Sequence, residues 1–90
     1  MNDSFTLYVL YSYKFDKIYI GYTSNLIVRF HSHNSVGKKG WTINFRPWFV
    51  VYTEIFYSKK DALDREKQLK SAMGRHFIRT VCIPLYFNLK

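Results

Sequence analysis

Two runs of aromatic and β-branched residues, FTLYVLYSY at 5–13 and KIYIGYT at 17–23, stand on either side of the short turn KFDK and demand a β-hairpin. Side chains alternate across a strand, so the register of this hairpin decides which residues share a face. A four-residue KFDK loop pairs Tyr13 with Ile18. Leu7, Val9, Tyr11, Tyr13, Ile18, Ile20 and Tyr22 then form a core face, while Tyr8, Leu10, Ser12, Tyr19, Gly21 and Thr23 form the other. On that second face two tyrosines stand beside a glycine, whose missing side chain lets another group approach the backbone closely. A three-residue loop would instead put Tyr8 and Tyr19 on opposite faces.

Beyond the hairpin, a helix is predicted from about Asn25 to Asn34, capped by Thr23 or Ser24, with Leu26, Ile27 and Phe30 on its buried side. The glycine- and lysine-containing segment SVGKKGWTINFRP reads as a loop. WFVVYTEIF at 48–56 reads as a third strand, and its apolar residues on both faces suggest a central position. Ser58 with an acid three residues later opens a second helix, which is expected to run to about Met73 and to stop at Gly74. A further short helix is expected over 75–81, and VCIPLYF has no assigned role. The order is ββαβα plus a C-terminal helix or tail. That predicts an α+β domain with a small three-stranded antiparallel sheet flanked by helices. Residues 1–90 make one domain, with a core of about 5–79 and a tail at 80–90.

Charge narrows the function. The formal net charge is +8, and no acid occurs between Asp16 and Glu54, while Lys17, Arg29, Lys38, Lys39 and Arg46 do. A one-signed stretch of this kind attracts polyanions, of which nucleic acid is the commonest large one. Cys82 is the only cysteine, which excludes an intrachain disulfide and a multi-cysteine zinc site. MNDSFT lacks a secretory pattern and no apolar run approaches the roughly 20 residues of a membrane span, so a cytoplasmic protein without a membrane partner is expected.

Two helical positions break the amphipathic pattern. Arg29 and His33 are four apart and share a face about a quarter-turn from Leu26 and Phe30. An arginine fork suits phosphate, and a histidine exchanges protons near neutral pH, although basic residues on a helix surface are often only solvated. In the second helix Ala62, Glu66, Leu69 and Met73 form one stripe, so Glu66 falls where apolar residues belong. A desolvated carboxylate needs a cation beside it. A metal ion would serve, and so would a salt bridge to Arg29 or Lys70.

Tyr19-Ile20-Gly21, then Arg29, His33, Arg46-Pro47-Trp48 and Ala62-x-x-x-Glu66-x-x-Leu69-Lys70, together resemble the GIY-YIG nuclease superfamily over about residues 5–79. The first signature triplet is degenerate: Thr6-Leu7-Tyr8 keeps only its tyrosine, eleven residues before Tyr19. The likeness is to small stand-alone members, related to the N-terminal nuclease of the excision-repair incision enzyme. It implies a DNA endonuclease, of use in DNA repair, that hydrolyses phosphodiesters with one magnesium or manganese ion. Glu66 would be the single protein ligand to the metal. Arg29 would clamp the scissile phosphate, Tyr19 or Tyr8 would activate the attacking water, and His33 would relay its proton or position the tyrosine. Gly21 would keep the floor of the site open. Lys38, Lys39 and Thr42 are loop candidates, and Arg46 and Lys70 are further substrate-binding cations. Asn88 is a candidate phosphate contact, although the proline-containing tail departs from the family's usual helical ending.

The expected partner is DNA, with branched or damaged forms among the candidates. So small a domain favours structure-selective or weakly sequence-specific cutting over reading a long site. A monomer or weak homodimer is expected. The alternatives are a non-catalytic nucleic-acid-binding module with a basic face, and a protein-interaction role for the exposed aromatics and tail.

Overall fold

Leu7 to Ser12 are all buried, and the sheet is built outward from them. The computed structural model describes residues 4–88. Strand β1 (Phe5–Ser12) lies between β2 (Lys17–Thr23) and β3 (Phe49–Phe56), antiparallel to both, giving the order β2-β1-β3. The α+β class, the three-stranded antiparallel sheet and the order of elements are those predicted from the sequence.

The position of β3 is not. It is an edge strand, and β1 is central. Apolar residues occur on both faces of β3 because helices cover both faces of the sheet, which does not require a strand on each side. A bulge reinforces the pattern: Val9 faces Tyr52 but Leu10 faces Val50, so Val51 is an extra residue and the alternation skips there.

The hairpin register also differs from the predicted one, by two residues. Ser12 pairs with Lys17 and Tyr11 with Ile18, so the four-residue loop is Tyr13–Asp16. Asp16 turns the chain at φ 54° and accepts hydrogen bonds from Tyr11 (2.8 Å) and Arg79 (2.7 Å). Because a shift of two preserves alternation, Tyr8, Tyr19 and Gly21 still share a face.

On that face α1 (Leu26–His31) is capped by Asn25, whose side chain accepts from the Val28 amide at 3.2 Å. Thr23, one of the predicted caps, instead accepts from the Asn25 amide at 3.1 Å and shapes the entry turn. Leu26 and Phe30 pack on a cluster of Tyr8, Leu10 and Trp48, while Ile27, expected to be buried, is exposed. The helix runs directly into one π turn (Ser32–Val36). The following loop contains a 3₁₀ turn (Trp41–Phe45) that the sequence reading leaves irregular.

The opposite face packs Leu7, Val9, Ile18, Ile20 and Val51 against Leu69, Ile78 and Cys82. These last come from α2 (Lys59–Lys70) and from a π turn (Ile78–Cys82) that continues α3 (Ala72–Phe77). Ser58 caps α2 as expected. The helix ends at Lys70 rather than Met73, because Ser71 caps α3 by accepting from the Gly74 amide at 3.1 Å. Met73 is consequently 84% exposed. Gly74 sits inside α3, where a β-carbon would lie 2.2 Å from the Gln68 carbonyl oxygen. The apolar tail forms α4 (Ile83–Asn88), with Ile83 and Tyr86 against this core. Among the described residues no helix is long and apolar enough to cross a membrane.

Candidate active site

Tyr8 and Gly21 are direct partners across the hairpin. The Tyr8 ring therefore lies over the space that a side chain at position 21 would occupy, and a β-carbon there would stand 2.8 Å from its hydroxyl oxygen. What approaches the glycine is the neighbouring phenol. Tyr19, on the same face, packs beside it with ring centroids 6.2 Å apart. The two rings form the floor of an open cleft of about 470 Å³, which Gly21, Arg29 from α1 and Glu66 and Lys59 from α2 also line.

His33 is not a partner of Arg29 on a solvated face. The π turn that holds it carries the imidazole inward, where it is 8% exposed and packs against Tyr19, the ring centroids 4.5 Å apart and the planes tilted by 53°. Its Nε2 lies 3.0 Å from the Tyr8 hydroxyl and its Nδ1 3.0 Å from the Thr42 hydroxyl. The Thr42 carbonyl in turn accepts from the buried Trp48 indole at 2.8 Å. A line of hydrogen bonds thus runs from the 3₁₀ turn through His33 to the cleft floor.

Burial pushes the Tyr8 hydroxyl up to about 12, with Arg29 opposing the rise and Tyr19 and Glu66 adding to it. His33 is held below the ordinary histidine value, first by burial and then by the positive charges of Arg29 and Arg46. Near neutral pH the imidazole is therefore uncharged, with one nitrogen able to donate and the other to accept. The Tyr8 hydroxyl is protonated.

Among the described residues Glu66 is the only carboxylate lining the cleft, and its side chain is 16% exposed. Its Oε2 pairs with Lys70 at 3.3 Å, one of the two salt bridges open on the sequence. Among the described residues no three His, Cys, Asp or Glu side chains cluster as a metal cage. A carboxylate on the cleft wall, facing a space that can hold water and phosphate, still fits a hard divalent ion held by one protein ligand.

Tyr8, Tyr19, Gly21, Arg29 and Glu66 are thus brought to one cleft, with His33 immediately behind the tyrosines. The other sequence candidates are placed differently. Arg46 donates to the carbonyls of His33 (2.8 Å), Ser32 (3.1 Å) and Gly37 (2.6 Å), which ties down the π turn. Lys39 lines an adjoining depression with Thr42, while Lys38 is exposed and lines neither. Lys70 serves Glu66, and Asn88 is exposed on α4, away from the cleft lining.

The sequence reading missed Lys59 and Asn34. Lys59 lies seven residues before Glu66, two helical turns along the same face, a spacing that could have revealed it. Asn34 accepts from the Trp48 amide at 2.6 Å, a contact with no local signature.

An antiparallel sheet that offers two tyrosines to an arginine and a glutamate from separate helices defines a small catalytic domain of nuclease type. Residues 4–77 match the GIY-YIG catalytic domain, and the chain belongs to that family. It is 38% identical over 58 residues to a UPF0213 protein of Staphylococcus haemolyticus, covering 64% of this chain and 71% of that one. To a UPF0213 protein of Limosilactobacillus reuteri it is 37% identical over 76 residues, covering 82% and 78%. The solution structure of a UPF0213 protein from Bacillus halodurans superposes with a TM-score of 0.55 at 23% identity, covering 92% of this chain and 90% of that one. That likeness establishes the shared fold.

Proposed function

We propose that this protein is a divalent-metal-dependent DNA endonuclease of structure-selective or weakly sequence-specific action. The observation that carries the reading is the hydrogen-bonded line Thr42–His33–Tyr8 ending at a cleft that also contains Arg29 and Glu66.

With its hydroxyl near 12, Tyr8 is almost never a phenolate at neutral pH, so it does not wait as a preformed base. A relay avoids that difficulty. If His33 Nδ1–H donates to Thr42, Nε2 accepts the Tyr8 proton. The Tyr8 oxygen then takes a proton from the attacking water as its own passes to His33. The water oxygen bonds to phosphorus and the P–O bond to the leaving sugar oxygen breaks; Tyr8 keeps the proton taken from water, the imidazole holds the one Tyr8 gave up, and the leaving oxygen takes a proton from solvent water. Arg29 and Arg46 disfavour that imidazolium, which makes it ready to give the proton up. Arg29, at the cleft wall beside both tyrosines, would hold the phosphate and oppose its developing charge. Glu66 would hold the magnesium or manganese ion, with water and phosphate oxygens as the other ligands. When bound, such an ion supplies Lewis-acid polarisation of the phosphate.

A cleavage panel of single-stranded, duplex, flap and junction DNA with each ion tests this. Wild type should cut at least one form, and Glu66→Ala and Arg29→Ala should each lower the rate by 100-fold or more, on the order of the loss from one oxyanion donor. Wild-type protein that binds DNA but stays inert across the panel would favour the non-catalytic module.

A further inference from the structure

Three depressions on the surface share walls. The cleft shares Tyr19 and Arg29 with a smaller depression of about 220 Å³ that is bounded by Lys39 and Trp41. This in turn shares Tyr19 and Trp41 with a third, of about 400 Å³, which crosses the outer edge of β2 at Lys17–Ile20 and ends at Arg75 and Arg79 on the far side of the sheet. The path is polar and mostly cationic. Among the described residues its acids are Glu66 in the cleft and Asp16, which is paired with Arg79 at 2.7 Å.

Trp41 is the anomaly along this path. It is 48% exposed, yet its ring is held by Phe45 and Trp48, with centroids 4.7 and 5.9 Å away. A large indole fixed from behind and open in front, between cationic side chains, offers a stacking surface whose ordering is complete before anything binds. Paired bases in a duplex present edges and phosphates to a protein, whereas an unpaired base offers a ring face.

We infer that this groove is a binding track for an unpaired DNA strand, with Trp41 stacking on a base and Lys17, Lys39 and Arg75 following the backbone. The inference rests on the nuclease reading for the identity of the polymer and adds the substrate class. Strand entering along the β2 edge would be led past Trp41 to the tyrosines and Arg29, so the favoured substrates carry a single-stranded segment.

The test separates binding from cutting. Fluorescent single-stranded DNA of about 20 nucleotides, long enough to span several stacking sites, and its blunt duplex are titrated with Glu66→Gln protein in EDTA. Trp41→Ala in that background should weaken single-strand binding by roughly five-fold or more and change duplex binding by less than about two-fold. Trp41→Phe should recover most of the loss. Arg75→Glu, an exposed change on α3, should also weaken single-strand binding and flatten its salt dependence. Wild-type tryptophan fluorescence should be quenched by the single strand. That measurement needs no substitution and stands if Trp41→Ala melts early. Undiminished single-strand binding by a folded Trp41→Ala protein, equal loss on both DNA forms, or an absent quench would overturn the track. Trp41-dependent strand binding by a wild type that cuts nothing would end the nuclease reading alone. Cleavage that retains its strand preference in Trp41→Ala would end the track alone.

Discussion

Tyr8 occupies the space above Gly21, with its hydroxyl 2.8 Å from where a β-carbon would be built, so the two positions are one structural unit across the hairpin. The φ of Gly21 does not lie in the left-handed region, and the glycine is required by crowding. Gly21→Ala must move the Tyr8 ring, which the hydrogen bond to His33 holds at 3.0 Å. The expected result is a fall in kcat of ten-fold or more, since a misplaced reacting group of about 1 Å costs on the order of 100-fold. Far-UV circular dichroism should be unchanged, because one methyl at the cleft floor leaves the hairpin pairing intact. Steady-state kinetics on a cleaved substrate, beside a melting curve, checks both halves.

Thr42 acts through His33. Replacing its hydroxyl by a methyl in Thr42→Val keeps the shape of a 5% exposed side chain but leaves Nδ1 of a buried imidazole without its partner. Such an unsatisfied group costs about 1–3 kcal/mol. The imidazole also loses the contact that can fix which nitrogen bears hydrogen. Thr42→Val should lower kcat with little change in KM, and Thr42→Ser should restore it. Nitrogen chemical shifts of His33 should show a changed tautomer ratio in Thr42→Val, which a purely structural role for the hydroxyl would leave unmoved.

The hairpin, the β-rich third segment and the cap of α2 were legible because they rest on local alternation and local hydrogen bonds. The faces of Tyr8, Tyr19 and Gly21 survived a register error because that error was an even number of residues. Position in the sheet was not legible, since burial on both faces of β3 comes from helices distant in sequence. Nor was the π turn: a helical wheel leaves His33 near Arg29, whereas the widened turn, tied down by Arg46 from thirteen residues away, swings it under the tyrosines. Arg46 itself read as a DNA contact because its charge is visible in the sequence and its carbonyl partners are not.

The two perturbed groups of the relay tie stability to pH in opposite directions. His33 in the folded protein has a lowered pKa, so between that value and the ordinary one near 6.5 the unfolded chain binds more protons. Its contribution to stability is therefore present above about 6.5 and is lost as pH falls below it. Tyr8 in the folded protein is raised to about 12, so above the ordinary phenol value near 10 the unfolded chain releases its proton first and stability is lost as pH rises. That alkaline loss amounts to on the order of 2 kcal/mol by pH 12. Urea unfolding across pH 5 to 11 should show both limbs. His33→Gln should flatten the acid one, and Tyr8→Phe should lessen the alkaline one, to which the buried Cys82 thiol, pushed up to about 11, also contributes.

Arg46 distinguishes a fork from a charge. Its Nε and Nη2 donate to three carbonyl oxygens, two of them from consecutive residues of the π turn. A lysine ammonium keeps the positive charge but cannot span acceptors set out for a planar guanidinium. Arg46→Lys should therefore destabilise the fold nearly as much as Arg46→Ala, by about 2–4 kcal/mol if each lost bond contributes about 1 kcal/mol and the freed carbonyls are only partly rehydrated. The loosened π turn should also release His33 from Tyr8, so activity should fall with stability in both variants. If Arg46 chiefly contacted phosphate, Arg46→Lys would keep wild-type stability and most of its DNA affinity. Chemical denaturation and a DNA titration on the same three proteins decide between the two.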